Sequence, residues 1–333
     1  MTKGTQQVVL VTGGMGFTGS HLVRRLLSRG HDVRVIDNHK GLFYDELVDL
    51  GARVTLGSIV DRELVAQMVS GCDVVHHVAA AFRSVNDSKE VYWDVNVNGT
   101  RYLLEAALEQ GVKKFVYCST QGVHGHIDKP PGNEQSPIEP EDYYQYTKYE
   151  GERVAQEFIE KGLNVTILRP TAIYGPGDPG RWYMLFKYTK NGRFLMFGNG
   201  KTTYHPVYIE NLIDAFELAV EKEEAGGQTY IIGDDKYYTL TDIVKMVGEV
   251  QGKNTSIIRL PFWPVWVAAL LCEAVCAPFK ISPPLFRRRV DWFRQVRAFD
   301  ISKAEEELGY RTNVDLRTGL TRTADWYRAN GYL

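Results

Sequence analysis

The stretch VVLVTGGMGFTGSHLVRRLL, residues 8–27, constrains this chain more than any other. Five β-forming residues run into Gly13, Gly14, Gly16 and Gly19 and pass at once into an amphipathic helix. A strand that reaches a helix through glycines lets backbone approach a ligand closely. The helix's first N–H groups, at the positive end of its dipole, then face outward. A pyrophosphate fits such a junction. Gly14, Gly16 and Gly19 alone form GxGxxG, which is weak in isolation and strong between a strand and a helix.

The alternation continues along the chain. DVRVID (32–37), RVTLG (53–57), DVVHHVA (73–79), KFVYCS (114–119) and NVTILRP (164–170) are short, rich in Val and Ile, and read as buried strands. Between them SHLVRRLLSRG, RELVAQMVSG, GTRYLLEAALEQG and YEGERVAQEFIEKG show helical spacing and end at a glycine. Repeated βαβ units predict a Rossmann-type, doubly wound parallel α/β sheet. After Pro170 the pattern loosens into a loop-rich, aromatic stretch over 171–210, followed by a helix near 211–221, a strand near 228–232 and a helix near 240–251. We therefore expect a cofactor domain over 1–170, joined by some later returning segments, and a smaller α/β substrate domain over 171–333.

Composition excludes some functions. The formal charge of the 333 residues is −2 with both signs mixed, so no field recruits nucleic acid. Cys72, Cys118, Cys272 and Cys276 contain no CxxC pair, which points to a reducing compartment and unpaired thiols. The first residues carry no long apolar run, so a cytoplasmic location is expected. His76 and His77 alternate across a strand and lack a Cys/His partner nearby, so no metal is expected.

Asp37 ends the second strand about twenty residues beyond the glycines, where a carboxylate accepts hydrogen bonds from ribose hydroxyls and repels a 2′-phosphate. NAD is thus favoured over NADP. In YYQYTKYEG (143–151), Tyr144 and Lys148 are four apart and share a helix face. An ammonium one turn away lowers a phenol's pKa from its usual value near 10 and equips it for proton transfer.

The motifs TGGMGFTG (12–19), HHVAA (76–80), NVNGT (96–100), VYCSTQGVHG (116–125), YQYTK (144–148), LRPTAIYGPGD (168–178), VYIENLIDA (207–215) and DISKAEEELGY (300–310) occur in order. Together they make the chain, from Val8 to Tyr332, resemble the extended short-chain dehydrogenases/reductases of the NAD-dependent epimerase/dehydratase group. The resemblance implies roles. Tyr144 would be the acid–base, Lys148 would hold the nicotinamide ribose, and Thr120, with Ser119 as the alternative, would bond the reacting hydroxyl. The cofactor would lie against Gly13, Gly16, Phe17, Thr18, Gly19, Asp37, Asn38, Ser58, Ile59, Val78, Ala79, Ala80, Asn96 and Pro170 besides Tyr144 and Lys148. Substrate would meet Thr120, Gln121, Tyr174, Arg181 and Tyr204. Ser58-Ile59 stands where the family often has Asp-Ile.

Dehydratases and decarboxylases similar to this chain usually carry acids directly after the catalytic Ser/Thr, whereas Gln121 and Gly122 stand here and neither titrates. Epimerisation or simple oxidation/reduction remains. VIDNHKG (35–41) resembles the turn of nucleotide-sugar 4-epimerases, the first reading. Against it, Tyr204 in GNGKTTYHPVY stands where such enzymes often place an arginine, with Arg181, Lys187 or Arg193 as substitutes. The second reading is a 3β-hydroxysteroid or sterol dehydrogenase, which LPFWPVWVAALLCEAVCAPF (260–279) and Arg287–Arg289 resemble. The apolar run 265–277, about thirteen residues, is shorter than the ~20 a membrane crossing needs. A buried helix lining the substrate domain is expected there, ahead of peripheral membrane contact. A non-catalytic NAD-binding subunit is the reading from another class, and a homodimer through helices near 88–110 and 141–161 is expected by analogy.

Overall fold

The computed structural model describes residues 6–82, 88–178, 180–279, 281, 283–285 and 287–333, and only the backbone of Arg181, Arg288 and Arg289. The glycine junction forms as its sequence demands. Strand β1 (Val8–Thr12) is followed by helix α1 (Phe17–Ser28), whose N-cap Gly16 offers no side chain to its first N–H groups. β2 (Asp32–Asp37), α2 (Tyr44–Asp49), β3 (Arg53–Leu56), α3 (Arg62–Val69) and β4 (Val74–His77) follow. Then come α4 (Lys89–Trp93), a wider π turn over Asp94–Gly99, α5 (Thr100–Glu109), β5 (Lys114–Cys118), α6 (Tyr143–Glu160) and β6 (Val165–Pro170).

These six strands pair in parallel in the order β3-β2-β1-β4-β5-β6. Strand order reverses between β1 and β4, and there a crevice opens at the carboxyl ends. Both sheet faces are covered. Val65, Leu103, Leu104 and Phe158 from α3, α5 and α6 pack on one face, and Leu22 of α1 joins Leu212 and Phe216 on the other. Burial on both sides is why the strands read as continuous apolar runs rather than alternating ones.

The stretch expected to be loop-rich holds five short elements: β7 (Ala172–Tyr174), α7 (Arg181–Thr189), β8 (Arg193–Phe197), β9 (Thr203–Tyr204) and β10 (Pro206–Tyr208). Helix α8 (Ile209–Glu221) packs against α1, where Arg25 reaches Glu210, Asp214 and Glu217, each at 2.7 Å. Strand β11 (Thr229–Ile232) adds to β6 as a seventh parallel strand. These are the segments that return to the first half. β12 (Tyr238–Thr239) pairs with β9, and α9 (Leu240–Glu249) follows, with Thr239 Oγ1 accepting from Asp242 N. β13 (Ser256–Leu260) pairs with β8, and α10 (Phe262–Cys276), α11 (Arg287–Asp291) and α12 (Leu316–Ala329) complete the chain.

One expectation is corrected here. The segment 260–279 is not a buried helix lining the substrate domain. α10 and the turn after it form an 18-residue apolar stretch, Phe262–Phe279, long and apolar enough to cross a membrane, of which 6% is buried. Among α10's residues Ala269 alone is buried, and Cys272 and Cys276 do not fill a core. The run of thirteen undercounted the stretch because Phe262, Trp263 and Pro264 extend it at the start and Pro278 and Phe279 at the end.

Candidate active site

A cleft of about 1130 Å³ runs from the glycine junction across the carboxyl ends of the strands to α10 and α11. Its floor is built by close approach. Gly13 adopts φ +67°, and a Cβ there would lie 2.7 Å from the Ala79 backbone. A Cβ on Gly19 would fall 2.1 Å from Gly13 O. The second strand supports this loop, because Asp37 Oδ2 accepts from Met15 N at 2.9 Å.

Beneath the loop a buried relay fixes the wall opposite. Ala79 N donates to Thr12 Oγ1, whose hydroxyl faces His77 Nδ1 at 2.8 Å, while His77 Nε2 faces Thr100 Oγ1 at 2.9 Å. Thr100 Oγ1 gives its proton to Asn96 O, so His77 Nε2 is the donor and Nδ1 the acceptor. Burial pushes the His77 pKa well down and keeps the ring neutral. His76 packs edge-on against Phe216.

Gly13, Gly16, Phe17, Thr18 and Gly19 line the cleft, as do Asp37 and Asn38, Ser58 and Ile59, Val78, Ala79 and Ala80, and Pro170. Ser58 Oγ accepts from Val60 N at 3.3 Å. Asn96 does not line it. Fully buried, it accepts from Ala81 N at 2.8 Å and donates to Thr147 Oγ1 at 2.9 Å, tying the loop after β4 to α6.

Helix α6 begins under Asp142, whose Oδ1 accepts from Gln145 N, and presents one phenol to the cleft. Of the four tyrosines in YYQYTKYEG, Tyr144 alone lines it, with its ring 4.8 Å from Phe82. Tyr143 and Tyr146 turn to Tyr92 and Trp93. Lys148, one turn on, is 1% exposed, and its Nζ has no hydrogen-bond partner among the described residues. It lies 4.2 Å above the Tyr117 ring. Burial lowers its pKa from 10.5 to about 8, with Cys118 and Glu152 opposing. A buried ammonium without a hydrogen-bond partner among the described residues, lining the same cleft as the glycine junction, suits the hydroxyls of a ribose.

The two hydroxyls after β5 differ. Ser119 Oγ gives its proton to Glu152. Thr120 Oγ1 accepts from Gly122 N at 3.0 Å, a contact that uses a lone pair and keeps the proton for another acceptor. Behind them Arg169 Nε donates to Glu152 Oε1 at 2.9 Å and Nη1 to His124 Nε2 at 3.0 Å. His124 Nδ1 donates to the carbonyls of Ser136 and Pro137, and burial lowers its pKa. No local pattern signals this network, because Glu152 reads as one more helix-surface acid.

At the far end Gln121 and Tyr204 line the cleft. Tyr174 does not: it is fully buried, stacked between Trp182 and Tyr208. The Arg181 side chain lies outside the described residues, and Lys187 and Arg193 are exposed and absent from the described lining. Arginines come instead from the carboxyl-terminal segment. Arg287 pairs with Glu273 and Arg294 with Asp291, each at 2.7 Å, and Arg297, 3.7 Å from Glu141, bridges to Tyr204. Arg297 stands three residues before Asp300, where the DISKAEEELGY motif begins, the signal that could have found it.

Comparisons with known proteins agree with this geometry. The profile of the NAD dependent epimerase/dehydratase family matches residues 9–233. The chain is 28% identical to N-acetyl-alpha-D-glucosaminyl-diphospho-ditrans,octacis-undecaprenol 4-epimerase of Escherichia coli O157:H7, over 96% of this chain and 94% of that one. It is 30% identical to 3beta-hydroxysteroid-dehydrogenase/decarboxylase isoform 1 of Arabidopsis thaliana, over 96% and 80%. The crystal structure of UDP-glucose 4-epimerase from Thermotoga maritima superimposes with a TM-score of 0.80 at 28% identity, covering 97% of this chain and 99% of that one. The chain belongs to the NAD-dependent epimerase/dehydratase family, an enzyme of the oxidoreductase or isomerase kind with NAD as its cofactor.

Proposed function

We propose that the protein is a nucleotide-sugar 4-epimerase working through Tyr144, Lys148 and Thr120. The observation that carries the reading is the one phenol that α6 presents to the cleft, a helical turn from a buried ammonium with no hydrogen-bond partner among the described residues. NAD, when bound, supplies the hydride acceptor. Lys148 Nζ holds the ribose and lowers the proton affinity of Tyr144, which takes the proton of the secondary alcohol and later returns it. Thr120, its proton not spent on Gly122, donates to the reacting oxygen. Asp37 and the glycine loop hold the adenosine end.

The surroundings favour a reaction that moves one proton and one hydride. Gln121 follows Thr120, and the nearby acids are engaged: Asp142 caps α6, and Glu141 accepts from Gln295. Arg297, beside Tyr204, brings a guanidinium to the end where a diphosphate would lie. The solved UDP-glucose 4-epimerase supports the same reading, and the undecaprenol-linked 4-epimerase among the relatives supports its 4-epimerase chemistry.

A second reading, a 3β-hydroxysteroid-type dehydrogenase, has its own support in Trp266 of the apolar α10 on the cleft wall and in Tyr204 where an arginine was sought. Purified protein should be given nucleotide sugars and hydroxysteroids in separate panels, with product identity and net NADH followed together. An epimerised sugar without net NADH is the expected result. Stoichiometric NADH with a sterol replaces the first reading by the second.

A further inference from the structure

Helix α10 is apolar around its circumference but for Glu273, which faces the cleft. A helix of that composition belongs in a protein core or in lipid. α10 is not in the core. Trp263, Val267, Leu271, Val275 and Phe279 recur at every fourth position and are between 46% and 71% exposed. The apolar surface continues onto β8 and β13, where the register partners Leu195 and Ile258 are both exposed, and Leu260 leads into the helix. A contiguous patch of this kind on a folded chain marks an interaction surface.

The fold does not let α10 cross a bilayer. The chain beyond it returns to the body it left. Asn211 Nδ2 donates to Val314 O at 2.8 Å, Tyr327 Oη to Asp178 O at 2.6 Å, and the Trp326 ring meets Phe43. One crossing would put these contacts on opposite sides of the membrane. The helix must lie along the surface that covers it.

We propose that α10 docks this enzyme on a bilayer of anionic phospholipid, with the helix lying in the interface and its exposed side chains among the acyl chains. Charge complementarity selects this occupant: from Glu273 to Arg294 the sequence carries five basic residues against two acids, Glu273 and Asp291. Two arginines mark where the apolar surface meets the polar one. The Arg294 guanidinium lies 5.8 Å from the Phe262 ring and that of Arg287 5.8 Å from the Trp266 ring. Because Trp266, Glu273 and Arg287 also line the cleft, docking brings its mouth to the headgroup plane.

The test is flotation of the full chain, with NAD present, on vesicles of phosphatidylcholine alone and of phosphatidylcholine with phosphatidylglycerol. Wild type should float with the mixed vesicles, and high salt should reduce the floating fraction several-fold. The triple variant Val267→Glu/Leu271→Glu/Val275→Glu should partition at least about tenfold less, while its NAD-induced thermal shift stays at the wild-type value. Should that variant fold poorly, Leu271→Glu alone, read by quenching of tryptophan fluorescence with brominated lipid, carries the test. A wild type that stays in solution with both vesicles, or variants that float equally well, overturns the proposal. So does a wild-type dimer that the triple variant takes apart without any vesicle binding, since a second copy would then be the occupant.

Discussion

The glycine junction at 13–19 and helix α10 are both written in small and apolar residues, yet the structure treats them oppositely. At the junction the chain packs closely on itself, and a methyl added at Gly13 or Gly19 collides with backbone. Along α10 there is room on almost every side, and 6% of its apolar stretch is buried. An apolar pattern states what is to be kept from water. Only the surroundings say whether the chain itself provides the cover.

Changes at the junction should therefore be the most damaging in the molecule. Gly19→Ala places its Cβ against Gly13 O, and we expect a loss of about 3 kcal/mol or more in urea unfolding and no measurable NAD binding by calorimetry. Ordinary NAD affinity in that variant would mean the loop is softer than its geometry. Next comes Tyr144→Phe, which should lower kcat by about 10²- to 10⁴-fold on whichever substrate the panels identify, with NAD affinity retained. Turnover equal to wild type would remove the phenol from the mechanism and leave a dinucleotide-binding fold.

The pair behind Ser119 should be about as costly to break as the junction, in stability alone. Glu152→Ala leaves the Arg169 guanidinium buried without its carboxylate, and denaturation should show a loss of about 3–5 kcal/mol. Glu152→Gln, which keeps acceptor and shape, should recover part of it. If alanine is tolerated within about 0.5 kcal/mol, the network is not a structural support for the catalytic loop.

What was legible in the sequence followed from locality. Six parallel strands were readable because burial on both faces makes each a continuous apolar run, and Tyr144 because its partner is four residues away on the same helix. What was missed depends on distant chain. Asn96 and Tyr174 carry family motifs but point into the interior, which no local pattern reveals. Arg297 reaches the cleft only because its segment bridges to Tyr204. β11 looked like part of the smaller domain because nothing in TYII says that its partner is β6. α10 was assigned to a core by composition, and composition holds no information on what lies outside.

Lys148 gives a pH-dependent measure of how tightly the cofactor half is closed. Its folded-state pKa, lowered by burial to about 8 from 10.5, means the unfolded chain holds this proton more firmly than the folded one. Without cofactor, burying this ammonium therefore costs stability in full below about pH 8, and the cost falls away as pH climbs from about 8 to 10.5. Lys148→Met should make the cofactor-free protein more stable at pH 7 by roughly 3 kcal/mol, an advantage that fades by pH ~10.5. Added NAD should stabilise wild type more than the variant. A difference between the two proteins that does not change with pH would mean water reaches the ammonium.

The smallest expected effect tests the comparison from its other side. Leu212, fully buried on α8, and Leu271, 60% exposed on α10, are the same residue on two helices. Leu212→Ala should cost about 2–5 kcal/mol, as cavity formation in a packed core does, whereas Leu271→Ala should stay within about 0.5 kcal/mol in dilute buffer. The contrast holds only if nothing in this chain packs on the exposed stripe of α10. A cost of 2 kcal/mol or more at Leu271, measured at a protein concentration low enough to keep the chain monomeric, would mean that the helix folds back on its own body. The exposed stripe would then be a closed surface, and the difference between the two regions would disappear.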